Sequence, residues 1–188
     1  MERPPNHGWR RLPTLLGILL ICAATTSSNR SCSLGSSSNN GGDGGNDPTF
    51  VATLQLQDSA GNVTDSFERN GTIQMILTVR NRRDTTETID FTDSRTRDFV
   101  VVRANTETVV WQLSKEEAAP SPNPTTLTFG PNQTQTFSII WDQTESASGD
   151  QVPVGTYEAR GVLVFDGFDD HPLRASQLGS ELEQFTIN

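Results

Sequence analysis

The chain has 188 residues, room for one domain of ordinary size and not for two full cores. Its 23 acidic and 14 basic side chains leave a formal charge of -9, and the arginines (Arg3, Arg10 and Arg11, then Arg80 to Arg103) form no basic face, which excludes a nucleic-acid partner gripped through clustered cations. Only Cys22 and Cys32, with His7 and His171, are available for soft or imidazole ligation, which excludes a disulfide framework, a cysteine-type zinc site and thiol chemistry in the folded part.

In chain order, Arg10 and Arg11 precede a mostly apolar run from Leu12 to Ala24, the layout of a signal peptide. That run is shorter than the roughly 20 apolar residues that span a bilayer. Pro13 and Gly17 also break it as a buried helix. Residues 1–28 therefore read as a signal or lipoprotein leader, and the product as exported, either held at the cell envelope or secreted. Cys22 and Cys32 are the two candidate lipidation sites, so a membrane is reached only through a lipid anchor; cleavage among Ala23 to Ser28 would release a soluble protein instead.

Residues 29–48 form the next segment, dominated from Ser33 to Asp47 by Ser, Asn, Gly and Asp, with Leu34 the one large apolar side chain. Ordering a backbone costs about 1–2 kcal/mol per residue. Nothing in this stretch can offset that by burial, so a flexible tether is expected.

From residue 49 to 188 the pattern is that of strands. Phe50, Ala52, Leu54 and Leu56 alternate with Val51, Thr53, Gln55 and Gln57, and Asp58 to Asn62 carries turn chemistry. Ile73, Met75, Leu77 and Val79 give the cleanest strand. Further strands are expected at Ile89 to Phe91 and Phe99 to Val102, and at Val109, Trp111 and Leu113 facing one way. Leu127 to Phe129, then Phe137, Ile139 and Trp141, then Tyr157 to Phe165, and finally Leu182 to Ile187 complete about eight. No window has a helical period, and the β-branched residues favour a pleated surface. The fold class that follows is all-β: an immunoglobulin-like antiparallel β-sandwich of about eight strands, with a closed barrel as the alternative. Without an intersheet disulfide, Trp111, Trp141, Tyr157 and Phe165 are expected to fill its centre.

Candidate chemistry is sparse. A serine triad or cysteine dyad needs a histidine base, and His171 is the single histidine of the folded part, so catalysis is not expected and no cofactor is implied. Asp166, Asp169 and Asp170 surround Gly167 in an acidic connection that reads as a solvated loop, or as a weak Ca²⁺ site matching no EF-hand. Asn62, Asn70 and Asn132 each open an Asn-x-Thr triplet and read as turn residues. The longest irregular stretch runs from Ser114 to Thr125. Lys115, Glu116 and Glu117 with the stiffening Pro120, Pro122 and Pro124 make it the candidate partner-binding loop, set against the plainer reading of a connector between sheets.

Ordered landmarks carry a family likeness: Asn70-Gly71, Leu77-Thr78-Val79-Arg80-Asn81, Ile89-Asp90-Phe91, Asp98-Phe99-Val100-Val101, Val109 to Ser114, Phe129-Gly130-Pro131, Trp141-Asp142 and Val152 to Ala159. This set, spanning roughly Val63 to Phe165, resembles the BsuPI family, the intracellular proteinase inhibitor domain of Bacillus. The resemblance implies an immunoglobulin-like fold and a protein partner, for the founding member a serine proteinase. This sequence departs from the family pattern after the central tryptophan, where Leu113-Ser114 is followed by Lys-Glu-Glu-Ala-Ala-Pro, and it carries an export leader. The expectation is an exported, monomeric, inhibitor-like binding domain; the alternative is a non-inhibitory cell-envelope scaffolding module.

Overall fold

The computed structural model describes residues 48–106, 108–163 and 178–188. The leader, the tether with Cys22 and Cys32, Phe165, the acidic 166–170 segment and His171 lie outside the described residues.

The described chain is an all-β sandwich. Its strands are β1 (Phe50–Gln57), β2 (Ser66–Phe67), β3 (Ile73–Asn81), β4 (Glu87–Phe91), β5 (Arg97–Arg103), β6 (Thr108–Gln112), β7 (Thr125–Phe129), β8 (Thr134–Trp141), β9 (Gly155–Leu163), β10 (Leu178–Gly179) and β11 (Glu183–Ile187). One short helix, α1 (Leu113–Glu116), follows β6. The first sheet has the order β1-β3-β8 and the second the order β2-β11-β9-β5-β6, with β10 also on β9. Pairing is antiparallel except between β11 and the two-residue β2.

Period-two alternation decides which face of each strand goes inside. In β3, Ile73, Met75, Leu77 and Val79 are wholly buried while Gln74, Ile76 and Thr78 stay half-exposed. Across the interior, Leu77 meets Gly161 of β9, where a Cβ would lie 3.1 Å from the Leu77 side chain, so the two sheets come close together at a residue without a side chain. The centre is aromatic. Trp111 and Trp141 lie 6.0 Å apart between ring centroids, Trp141 meets the edge of Phe185 at 6.3 Å, and Phe185 stacks on Tyr157 at 5.8 Å. Two polar tips of this cluster are satisfied: Trp141 Nε1 donates to Thr144 O at 2.9 Å and the Tyr157 hydroxyl donates to Pro153 O.

A bent ribbon closes one end. β4 and β7 pair from Glu87↔Phe129 to Phe91↔Thr125, continuing the β3–β8 ladder past the turns at 82–86 and 130–133. Asn81, wholly buried at the bend, donates from Nδ2 to Thr85 O, Phe129 O and Gly130 O and accepts Arg83 N on Oδ1 at 2.9 Å. The bend carries Phe91 and Phe129 over the core, and Phe129 meets Phe50 edge-on at 5.1 Å.

Three details differ from the sequence expectation. β6 does not alternate through Val109, Trp111 and Leu113: its register shifts opposite Val101 and Val102, a bulge that leaves Val110 without a partner and buries it, and Leu113 belongs to α1. The stretch 114–125 is not irregular throughout, since it opens inside α1 and ends in β7. β2 and β10 are strands of two residues each that no periodicity could reveal. The turn reading of the Asn residues holds for Asn70 and Asn132, which adopt left-handed φ of 62° and 55°.

Candidate functional site

The candidate loop leaves the sandwich at α1 and returns at β7. α1 is a single turn, closed by Glu117 N donating to Leu113 O at 3.0 Å, with Leu113 buried as its foot in the core. Lys115, Glu116 and Glu117 are all exposed. Pro122 and Pro124 are exposed too, and Pro120 is half-buried. The six predicted residues therefore form one stretch of surface at the same end as the bent ribbon.

Two sets of hydrogen bonds fix this stretch. Asp98, 1% exposed, accepts Gln112 Nε2 at 2.7 Å on Oδ2 and both Phe99 N (2.9 Å) and Ser114 N (3.0 Å) on Oδ1. It thus ties the end of β6 and the start of α1 to β5. Burial pushes the Asp98 carboxyl above the ordinary carboxylate range, and the Gln112 amide and backbone donors oppose that shift without reversing it. Further along, Ser121 N donates to Ser94 Oγ at 2.9 Å and Ser94 N donates to Ser121 O at 3.0 Å, a reciprocal clasp between the loop and the β4–β5 turn. A loop held at both places has less conformational freedom to lose when it meets a partner.

Sequence reasoning missed Asp98 as the anchor and the Ser94–Ser121 clasp. One signal for the first was in plain view: a lone carboxylate immediately before the apolar run Phe99-Val100-Val101-Val102 must either end the strand or find donors inside. The second had no signal, because it joins residues of ordinary turn type brought together by the fold.

On the outer face of the first sheet, Val51, Thr53, Thr78, Arg80, Arg82 and Thr134 line an open concavity of about 390 Å³. Arg80 Nη2 reaches Asn132 Oδ1 at 3.4 Å. Among the described residues no group of three or more His, Cys, Asp or Glu side chains could hold a metal ion, and no helix is long and apolar enough to cross a membrane.

Residues 62–167 match the family model BsuPI, described as an intracellular proteinase inhibitor, and the matched span includes the whole of the 113–124 loop and its Asp98 anchor. No curated protein matches the sequence. Among solved structures, a β-glucosidase from Erythrobacter marinus is similar over 74% of this chain at 11% identity and a TM-score of 0.41, and the chain spans 15% of that enzyme's length. The C-terminal domain of Wzt is similar over 86% of this chain and 79% of its own at 9% identity and a TM-score of 0.47. A CARDB domain from Pyrococcus furiosus is similar over 72% of this chain and 91% of its own at 10% identity and a TM-score of 0.37.

Proposed function

Since the chain belongs to the BsuPI family of intracellular proteinase inhibitors, we propose that it is an inhibitor-like binding domain that contacts a protein partner, a proteinase in the first instance, and performs no catalysis of its own. The observation that carries this reading is the family match over residues 62–167, because it encloses the loop and the residues that fix it. The contact surface on this reading is Lys115, Glu116 and Glu117 on and after α1, continued by Pro120, Pro122 and Pro124. Asp98 and the Ser94–Ser121 clasp support it by holding that surface ready, which lowers the ordering cost of association. With residues 1–28 read as an export leader, the working compartment on this proposal is outside the cytoplasmic membrane, either at the envelope through a lipid on Cys22 or Cys32 or in the medium.

The test is inhibition. The purified chain is titrated against subtilisin-like and trypsin-like proteinases, and the same titration is run with Lys115, Glu116 and Glu117 all replaced by Ala. Inhibition that the triple variant loses supports both the function and the surface. Inhibition that survives it supports the function and moves the surface elsewhere. No inhibition of any enzyme in the panel removes the inhibitory reading and leaves the scaffolding alternative.

A further inference from the structure

Among the described residues the two larger sheets have four edges, and they are treated unequally. At the β6 edge, the segment after β8 folds back: Ser146 N donates to Val110 O at 3.0 Å and Gln112 N donates to Ser146 Oγ at 3.1 Å, which takes two of the outward groups at the C-terminal end of that strand. At the opposite edge of that sheet stands β2, only two residues long. β1 is covered at one end, where Val63 bridges Gln57 and Thr64 N donates to Leu56 O at 3.3 Å, and β10 lies beside it.

β8 is different. It is eight residues long and, among the described residues, no backbone bond from another segment reaches its outer side. Asn81 N donates to Gln133 O at 2.9 Å, which continues the β3–β8 ladder and sets its phase: odd-numbered residues of β8 bond to β3, and Thr134, Thr136, Ser138 and Ile140 turn their N–H and C=O groups outward. Exposed edges are ordinarily blunted by charge, proline, bulges or brevity. The sequence Thr-Gln-Thr-Phe-Ser-Ile-Ile-Trp has no charge, no proline and no glycine, and its register against β3 is unbroken. Ile140 is 63% exposed, and the inward-facing Phe137 and Ile139 are only partly buried at the rim of the core.

We propose that this edge pairs with the same edge of a second copy of the chain, antiparallel about a two-fold axis through Ser138, joining two three-stranded sheets into one of six strands. The strand is complementary to itself in that register. On the inner face each Phe137 lies opposite Ile139 of the second copy, so the partly buried pair at the rim is covered by its own kind. On the outer face Thr136 lies opposite Ile140, and Ser138 opposite itself. Just past the strand, the exposed Asp142 of each copy comes opposite Thr134, in the cross-strand row that holds Arg80, which supplies a charge match at both ends. A single isologous contact of this kind closes on itself. Each copy carries a formal charge of -9, so association strengthens as salt screens the repulsion.

Sedimentation equilibrium of the purified full-length chain tests the proposal, with a dimer expected whose dissociation constant falls as salt is raised. Ser138 is exposed, so Ser138→Lys and Ser138→Glu leave the core untouched while placing like charges across the axis. Each variant alone is expected to lose the dimer, and an equimolar mixture of the two to regain it. A wild-type chain that stays monomeric up to its solubility limit overturns the proposal, whatever other protein it binds. So does a dimer that both variants retain, or one that the mixture fails to restore. Circular dichroism of each variant separates a lost contact from a lost fold. None of these outcomes depends on whether the chain inhibits a proteinase.

Discussion

Asp98 and Gln112 are joined inside the protein by a 2.7 Å hydrogen bond from the amide to the carboxylate, and the same carboxylate accepts the first free backbone N–H of α1, that of Ser114. One acidic side chain of β5 therefore decides where β6 stops and at what angle the candidate contact loop departs. Replacing Asp98 with Ala leaves at least two donors buried and unpaired, each costing about 1–3 kcal/mol. The expected result is a loss of about 2–4 kcal/mol in urea unfolding, accompanied by a larger acceleration of amide exchange, relative to the wild type, over 113–119 than over β3. Equal acceleration in both places would mean that Asp98 holds the whole domain and not the loop.

The same carboxyl gives a pH dependence of defined sign. Burial raises its pKa in the folded state, so the folded protein binds that proton more tightly than the unfolded one. The contribution is fully present below the ordinary carboxylate pKa and is lost as pH rises through the elevated one. The unfolding free energy of the wild type minus that of Asp98→Asn, measured in urea from pH 3 to 7, is expected to fall with rising pH across that window and to level off above it. A difference that grows with pH would mean that the donors around Asp98 outweigh its burial.

Asn81 holds the bent ribbon by donating to three carbonyls and accepting one N–H, so its two ends are not interchangeable. Asn81→Ala removes these bonds at a wholly buried position and is expected to cost about 2–4 kcal/mol. Asn81→Asp is nearly the same shape but turns an acceptor toward carbonyl oxygens, and is expected to cost more than Ala at pH 7. Chemical denaturation of both variants decides the order. A milder effect of Asp would mean that the bend is held by packing of Phe91 and Phe129.

Gly161 faces Leu77 across the sandwich, where an added Cβ would sit 3.1 Å from both Cβ and Cδ1 of Leu77, so a methyl group fits only if Leu77 gives way by a few tenths of an ångström. Gly161→Ala is expected to destabilise the domain by about 1–3 kcal/mol through overpacking. Combined with Leu77→Ala, the cost should fall short of the sum, because the second change removes the Cδ1 and Cδ2 contacts at 3.1 and 3.3 Å while its own Cβ stays in place. Additive thermal or urea midpoints would show that the sheets accommodate the methyl by shifting apart.

Export through residues 1–28 predicts a shortened mature chain. Intact-mass spectrometry of protein recovered from its native cells is expected to show an N-terminal segment missing: cleavage among Ala23 to Ser28 for a released form, or a chain beginning at a lipid-bearing Cys22 or Cys32 for the envelope form. A cytoplasmic product beginning at Met1 would rule export out and agree with the intracellular description of the family.

Much of this architecture was legible because it rests on local alternation. Ile73, Met75, Leu77 and Val79 are buried for the reason their spacing gives, and Trp111, Trp141 and Tyr157 fill the centre as their size requires. Tyr157 also carried a recognisable neighbourhood, Pro153 to Ala159, in which its hydroxyl reaches back four residues. What could not be read depends on residues far apart in the chain. The bulge at Val110 arises only when β6 is laid against β5, so strict alternation through Leu113 was the wrong extrapolation. The surface of Lys115, Glu116 and Glu117 was visible as a break in the pattern, but its fixation by Asp98 and Ser94 was not.

The fold-back of Ser146 onto β6 has a consequence beyond tidiness. With that rim guarded, β8 is the longest edge that no described segment covers, and on the proposal above it is the one through which two copies join. Union through it consumes the site in both participants, so growth halts at a pair and no filament can propagate by this route. Stripping the guard, for example with Ser146→Pro, would give each molecule a second sticky margin and turn a self-limiting contact into one able to polymerise.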